Sequence, residues 1–161
     1  MGTGGLFLRR LRAKVSEEPT GFVWIEKGRL AASGYPASRS QIEWLRKKGV
    51  GVILTLTEKP LPDELKEGFG ISFEHVPMKD HEPPSEESLE QAAKSIESGL
   101  GSGKMILVHC LAGQGRTGCA LAAYLVDAGK VGADEAIREL RKIKPEFIEG
   151  SQEEAVRRFC P

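Results

Sequence analysis

A cysteine, a glycine-rich run and an arginine stand together at His109-Cys110-Leu111-Ala112-Gly113-Gln114-Gly115-Arg116-Thr117-Gly118. A sulfur nucleophile works as the thiolate. A loop of backbone N–H groups opening a helix favours that anion, because its unpaired donors and the helix dipole point at one spot. Arg116, six positions after Cys110, brings a planar fork that fits two phosphate oxygens in a way a lysine cannot. Gly113, Gly115 and Gly118 let the backbone turn its N–H groups inward and let an oxyanion approach closely. The pattern describes a Cys110 thiolate aimed at a bound phosphate, with Leu111, Ala112, Gly113, Gln114, Gly115 and Arg116 as the cradle.

Those residues need elements to hold them. The apolar run at 105–108 reads as a buried strand, and the apolar-periodic stretch at 116–128 as the helix behind the loop. Upstream, 22–25 and 30–33 read as short strands around the Lys27-Gly28 turn. Ser38 with Gln41 three residues on predicts a capping box and a helix that stops at Gly49. Residues 50–56 are apolar and β-rich, 61–68 a short helix or loop, and 71–76 an alternating strand. Prolines make 81–84 a loop, and Ser85 caps a helix to about residue 100. Two further helices are predicted at 133–143 and 151–159, the second capped by Ser151 with Glu154 three on. Strands alternating with helices imply an α/β fold with a mostly parallel central sheet flanked by helices. Residues 1–20 read as an N-terminal extension and 21–161 as one domain.

The run from His109 to Thr117 resembles the signature of the cysteine-dependent protein phosphatases, and the short chain resembles their compact dual-specificity branch, the VHZ-like and archaeal enzymes. The likeness extends over roughly 22–160, through the opening strands, Leu56-Thr57-Glu58, the Val76–Asp80 and Pro83-Pro84-Ser85 loop, and the last two helices. It implies the cysteine-phosphatase fold and a cysteinyl-phosphate intermediate, with no cofactor and no metal. It implies that His109 tunes the thiolate and orders the loop, and that Thr117 stabilises the departing thiolate in the second step. Thr117 as a helix N-cap is the plain alternative. The resemblance also points to Glu149 or Gln152 in the second step; a helix-terminal acid and a first-turn polar residue are the plain readings.

A leaving alkoxide or phenoxide needs a proton, and a carboxylic acid on another loop can supply it. Asp80 stands thirty residues before Cys110, where the resemblance places that acid, with His81 and Glu82 as neighbouring rivals. Water then attacks the intermediate with the Asp80 carboxylate as base.

Composition narrows the classes. The chain has 161 residues, 40% of them hydrophobic, and 23 basic against 23 acidic residues. That balance gives no field for nucleic acid or an acidic membrane, and no apolar run reaches transmembrane length. Cys110, Cys119 and Cys160 are too few and too irregular for a disulfide framework, so a reducing, cytoplasmic setting is expected. Cys119 reads either as a resolving thiol or as a small buried helix residue. Residues 5–15 are basic and somewhat amphipathic, a short packed helix or a membrane-surface anchor; interrupting arginines argue against a signal peptide.

The expected substrate is a phosphorylated protein, phosphotyrosine and with it phosphoserine or phosphothreonine, because the chain lacks length for loops that deepen a pocket. Alternatives use the same loop. Inositol-lipid phosphatases of this type carry two lysines where Leu111 and Gln114 stand here, and an RNA 5′-phosphatase wants a basic surface. A non-catalytic phosphate-binding module would not keep cysteine, arginine and acid together, and a rhodanese-like sulfur transferase would not need the acid. The physiological substrate and the oligomeric state are not encoded in these patterns.

Overall fold

The computed structural model describes residues 17–159; the basic 5–15 segment and Cys160 lie outside the described residues. Five strands form one sheet in the order β1-β2-β5-β3-β4. They are β1 Val23–Glu26, β2 Leu30–Ser33, β3 Val50–Thr55, β4 Ser72–His75 and β5 Met105–His109. β1 runs antiparallel to β2 and every other pairing is parallel, as α/β alternation requires. β5 is central and every residue in it is buried. A side-chain period of two sends Ile106 and Val108 into one core and Met105 and Leu107 into the other.

The larger core lies under α3 Glu86–Gly101, α4 Gly115–Asp127, α5 Ala133–Ile143 and α6 Glu153–Arg158; the smaller is covered by α1 Arg39–Lys47 and the short α2 Asp63–Lys66. The expected architecture is therefore the observed one, a mostly parallel sheet with helices on both faces.

Caps and boundaries refine the expectations. Ser85 accepts from the Ser88 N–H, and Ser38 from the Gln41 N–H. The Gln41 side chain reaches Ala37 N–H at 2.7 Å, one residue before the position a capping box would give it. The last helix does not start on Ser151. Glu149 and Gln152 form the capping box instead, around a 3-10 turn at Gly150–Gln152 that runs into α6. A glutamate accepts a backbone N–H as a serine does, and its longer side chain leaves an oxygen free for another partner.

Gly118 corrects the idea that all three glycines serve the anion. It lies inside α4, and a Cβ there would meet Ile148 N at 2.6 Å and Phe147 Cβ at 3.0 Å. Its bareness lets the 147–148 segment lie against the reactive helix.

Candidate active site

The reactive loop leaves the end of β5, where the parallel strands of the sheet open toward one edge. Gly113 holds φ +70, and any Cβ there would lie 2.4 Å from the Ser33 carbonyl oxygen, so the turn admits glycine alone. α4 begins at Gly115 with Gln114 as its N-cap, and no side chain caps it. Its first-turn N–H groups therefore face the loop interior. Gly115 packs on Gln152, whose Oε1 would lie 2.7 Å from a Cβ.

A pocket of about 120 Å³ is lined by Asp80, His81, Cys110, Leu111, Ala112, Gln114, Gly115, Arg116 and Glu149. Most of the expected site residues thus meet in one concavity. Larger hollows of about 330 and 660 Å³ lie elsewhere and contain no cysteine. Leu111 is 60% exposed and stands apolar beside this pocket.

Arg116 is only 3% exposed. One terminal nitrogen donates to the Met78 carbonyl at 3.1 Å, and the other lies 3.2 Å from Asp80 Oδ1. Its Nε, fully buried, has no hydrogen-bond partner among the described residues. A buried guanidinium is costly unless its donors are met, and this one keeps a donor unmet beside the pocket.

His109 is fully buried. Its Nδ1 lies 3.0 Å from the Cys110 carbonyl oxygen, which can only accept, so Nδ1 carries the proton and Nε2 accepts from the Thr55 hydroxyl at 2.8 Å. Burial pushes its pKa down to about 4, so the ring is neutral across the physiological range. Thr55 was not foreseen; the available signal was a hydroxyl residue ending an otherwise apolar strand, in register with His109.

Thr117 lies inside the first turn of α4, so it is not an N-cap; its buried hydroxyl has no partner among the described residues. Cys119 is fully buried, and desolvation pushes its thiol up to about 12. Its S–H points to Gln152 Oε1 at 3.7 Å. A thiol held protonated is a poor resolving nucleophile, which favours the plain packing role.

Asp80 and its neighbours are fastened from two sides. The Asp80 N–H reaches Glu58 Oε1 at 3.4 Å, and the His81 N–H folds onto Asp80 Oδ1 at 3.0 Å. His81, at φ 59, extends its Nδ1 to within 2.9 Å of Glu149 Oε1 and its Nε2 to 3.4 Å from Asp80 Oδ2. Gln152 is fully buried and bridges the same gap: Nε2 donates to the Glu82 carbonyl at 3.2 Å while Oε1 accepts from Glu149 N–H at 3.1 Å. The Glu82 side chain turns away toward Lys79, at 4.0 Å. Of the three acid candidates, Asp80 is the one in contact with Arg116.

Residues 19–157 match the family described as the Swiss Army Knife protein DSP-PTPase phosphatase domain. Phosphatidylglycerophosphate phosphatase PTPMT2 of Arabidopsis thaliana is 29% identical over 126 residues, which are 75% of this chain and 55% of that protein. Protein tyrosine phosphatase domain-containing protein 1 of Bos taurus is 34% identical over 124 residues, 67% of this chain and 16% of that protein. The chain thus spans about half or far less of these relatives. Among solved structures, Tk-PTP in its active form superposes with a TM-score of 0.74 at 28% identity, over 84% of this chain and 92% of that one.

Proposed function

The chain belongs to the Swiss Army Knife DSP-PTPase phosphatase family, and we propose that it is a phosphotyrosine or dual-specificity protein phosphatase working through a cysteinyl-phosphate. The observation that carries this reading is the convergence of Cys110, the buried Arg116 fork and Asp80 on one pocket. Residues 21–161 act as one phosphatase domain and 1–20 as an extension. A nucleophilic thiol suits a reducing compartment such as the cytoplasm.

The phosphoryl group sits on the loop N–H groups, with Arg116 gripping two of its oxygens and its orphaned Nε among the donors. The incoming dianion displaces Asp80 from the guanidinium, and the first step uses the form of the enzyme in which that carboxyl carries its proton. Cys110 attacks phosphorus, the ester oxygen departs with the Asp80 proton, and the sulfur–phosphorus bond forms. In the second step the Asp80 carboxylate takes a proton from water as the water oxygen attacks phosphorus, and the Thr117 hydroxyl, adjacent in sequence to Arg116 and without a partner among the described residues, donates to the departing thiolate. Gln152 and Glu149 serve this step by holding the acid loop in place. Neutral His109 orders the loop and takes no proton in the cycle.

The exposed Leu111 offers an apolar surface to an aromatic ring, which favours phosphotyrosine over a polyphosphorylated sugar ring. The similarity to a phosphatidylglycerophosphate phosphatase favours a second reading, a lipid phosphomonoester.

Hydrolysis of para-nitrophenyl phosphate in EDTA tests the core claim: parent turnover with loss of at least about 1,000-fold in Cys110→Ser is expected. Absence of parent turnover between pH 4 and 8 in reducing buffer would overturn it. Phosphotyrosine peptides run against phosphatidylglycerophosphate in mixed micelles then separate the two readings by kcat/KM. Asp80→Asn separates both from sulfur transfer, which needs no acid.

A further inference from the structure

In a planar trans peptide the C=O and the following N–H point in opposite directions. Three carbonyls of the reactive loop are held by donors. His109 Nδ1 holds that of Cys110 at 3.0 Å, the Tyr35 N–H holds that of Leu111 at 2.9 Å, and Lys144 Nζ holds that of Gly113 at 3.0 Å. The N–H groups of Leu111, Ala112 and Gln114 are thereby turned the other way, and these three residues line the pocket with Cys110 whereas Gly113 does not. None of the three N–H groups donates to a protein acceptor among the described residues.

The three holds differ in kind. That from His109 is a buried ring at the end of β5 and that from Tyr35 a backbone N–H just beyond β2. The third is one side chain reaching from the end of α5, where the Lys144 N–H closes on the Leu140 carbonyl. Its ammonium is hemmed in by Phe147, whose ring centre lies 5.6 Å away, and by Gly21, where a Cβ would come within 3.0 Å. It grips the peptide that needs a grip. A glycine explores both signs of φ freely, so the 113–114 peptide can rotate where its neighbours cannot. Rotated, it would present a carbonyl oxygen to the oxyanion in place of an N–H.

We propose that Lys144 is a positioning residue of the phosphate cradle: it holds the Gly113 carbonyl outward, keeps the Gln114 N–H facing the pocket and adds a positive charge behind the loop. This rests on reading the loop as the phosphate site.

The test uses the full chain, with vanadate inhibition of para-nitrophenyl phosphate hydrolysis, kcat and KM, and thermal melting without ligand. Lys144→Met is expected to bind vanadate about tenfold more weakly and to raise KM by a similar factor, with a smaller fall in kcat. Lys144→Arg, which keeps both donor and charge, restores both constants to within about threefold. Should Lys144→Met fail to fold, Lys144→Gln keeps a donor without the charge, and a loss of about threefold or more in vanadate affinity supports the proposal. Vanadate affinity and KM within about twofold of the parent in the folded variant overturn it, whatever the melting temperature. A parent chain that neither turns over the ester nor binds vanadate removes the phosphatase reading itself, and this proposal with it. An active parent beside an unaffected Met variant removes the Lys144 role alone.

Discussion

Between Cys110 and Gly115 the chain is fastened mainly from below, by buried His109, by the Tyr35 backbone and by a glycine pressed against Ser33. Between Met78 and Glu82 it is fastened from the side, by the His81–Glu149 contact, the Gln152 bridge and the 40% exposed Asp80 carboxylate on Arg116. The nucleophile's half is one run of residues whose holds from His109 and Ser33 are buried, although Leu111 itself stands exposed. The acid's half is assembled from residues nearly seventy positions apart, and beyond buried Gln152 and Arg116 its side chains lie at the surface. Buried bonds fix a geometry firmly, whereas exposed ion pairs contribute little each and are screened by salt. Arg116 is the joint between the halves, touching the acid loop while standing in the reactive one.

The sharpest way to break this contrast is at the joint. Arg116→Lys keeps the charge and loses the fork, so kcat/KM for para-nitrophenyl phosphate should fall by on the order of 10⁴-fold. A fall below tenfold would mean that the fork grips nothing. Next comes the acid itself. Asp80→Asn should lower kcat by on the order of 100- to 1,000-fold for alkyl and tyrosyl phosphates and far less for esters with good leaving groups. Equal losses across leaving groups would deny it the acid role.

The buried half should show its character through pH. An unfolded imidazole takes up its proton near 6.5, whereas folded His109 holds off until about 4. The unfolded state therefore binds more protons in that window. Stability is complete above about pH 6.5 and falls by about 3 kcal/mol as pH drops to 4. Urea melts of the parent and of His109→Asn across that range would check this; identical slopes would refute it. Smallest is the surface latch. His81→Ala and Glu149→Gln should each cost about threefold in kcat, with the double variant no worse than either. Additive losses would mean the two do not act as a pair.

The backbone of the nucleophile's half is legible in the sequence because its expected chemistry and its strand–loop–helix geometry share one run of ten residues. Cys110, Arg116, the cradle and the strand–loop–helix order all follow from types and spacing. Gly118 was misread because a glycine serving helix packing and one serving an anion look alike until the 147–148 segment is placed. Lys144 and Thr55 escaped notice because their partners are backbone or ring atoms distant in sequence. The last helix misled for a related reason: Ser151 with Glu154 and Glu149 with Gln152 are both legitimate capping pairs, and tertiary contacts from Gln152 to Glu82 decide between them. Asp80 as the acid is an expectation from the resemblance; the structure brings it to Arg116 at the pocket, and its role is what the Asp80→Asn experiment tests.

The Gln152 bridge to the acid loop carries one more consequence. Enzymes whose lids close on each substrate draw on the attraction of its remote parts to drive that motion, and truncated substrates then react slowly. Here Gln152 already holds the backbone of the acid loop at Glu82, so the proposed reading expects little such motion. On the proposed reading, selectivity among phosphomonoesters rests on encounter and fit around Leu111, and a bare aryl phosphate should be processed nearly as fast as a larger substrate carrying the same ester.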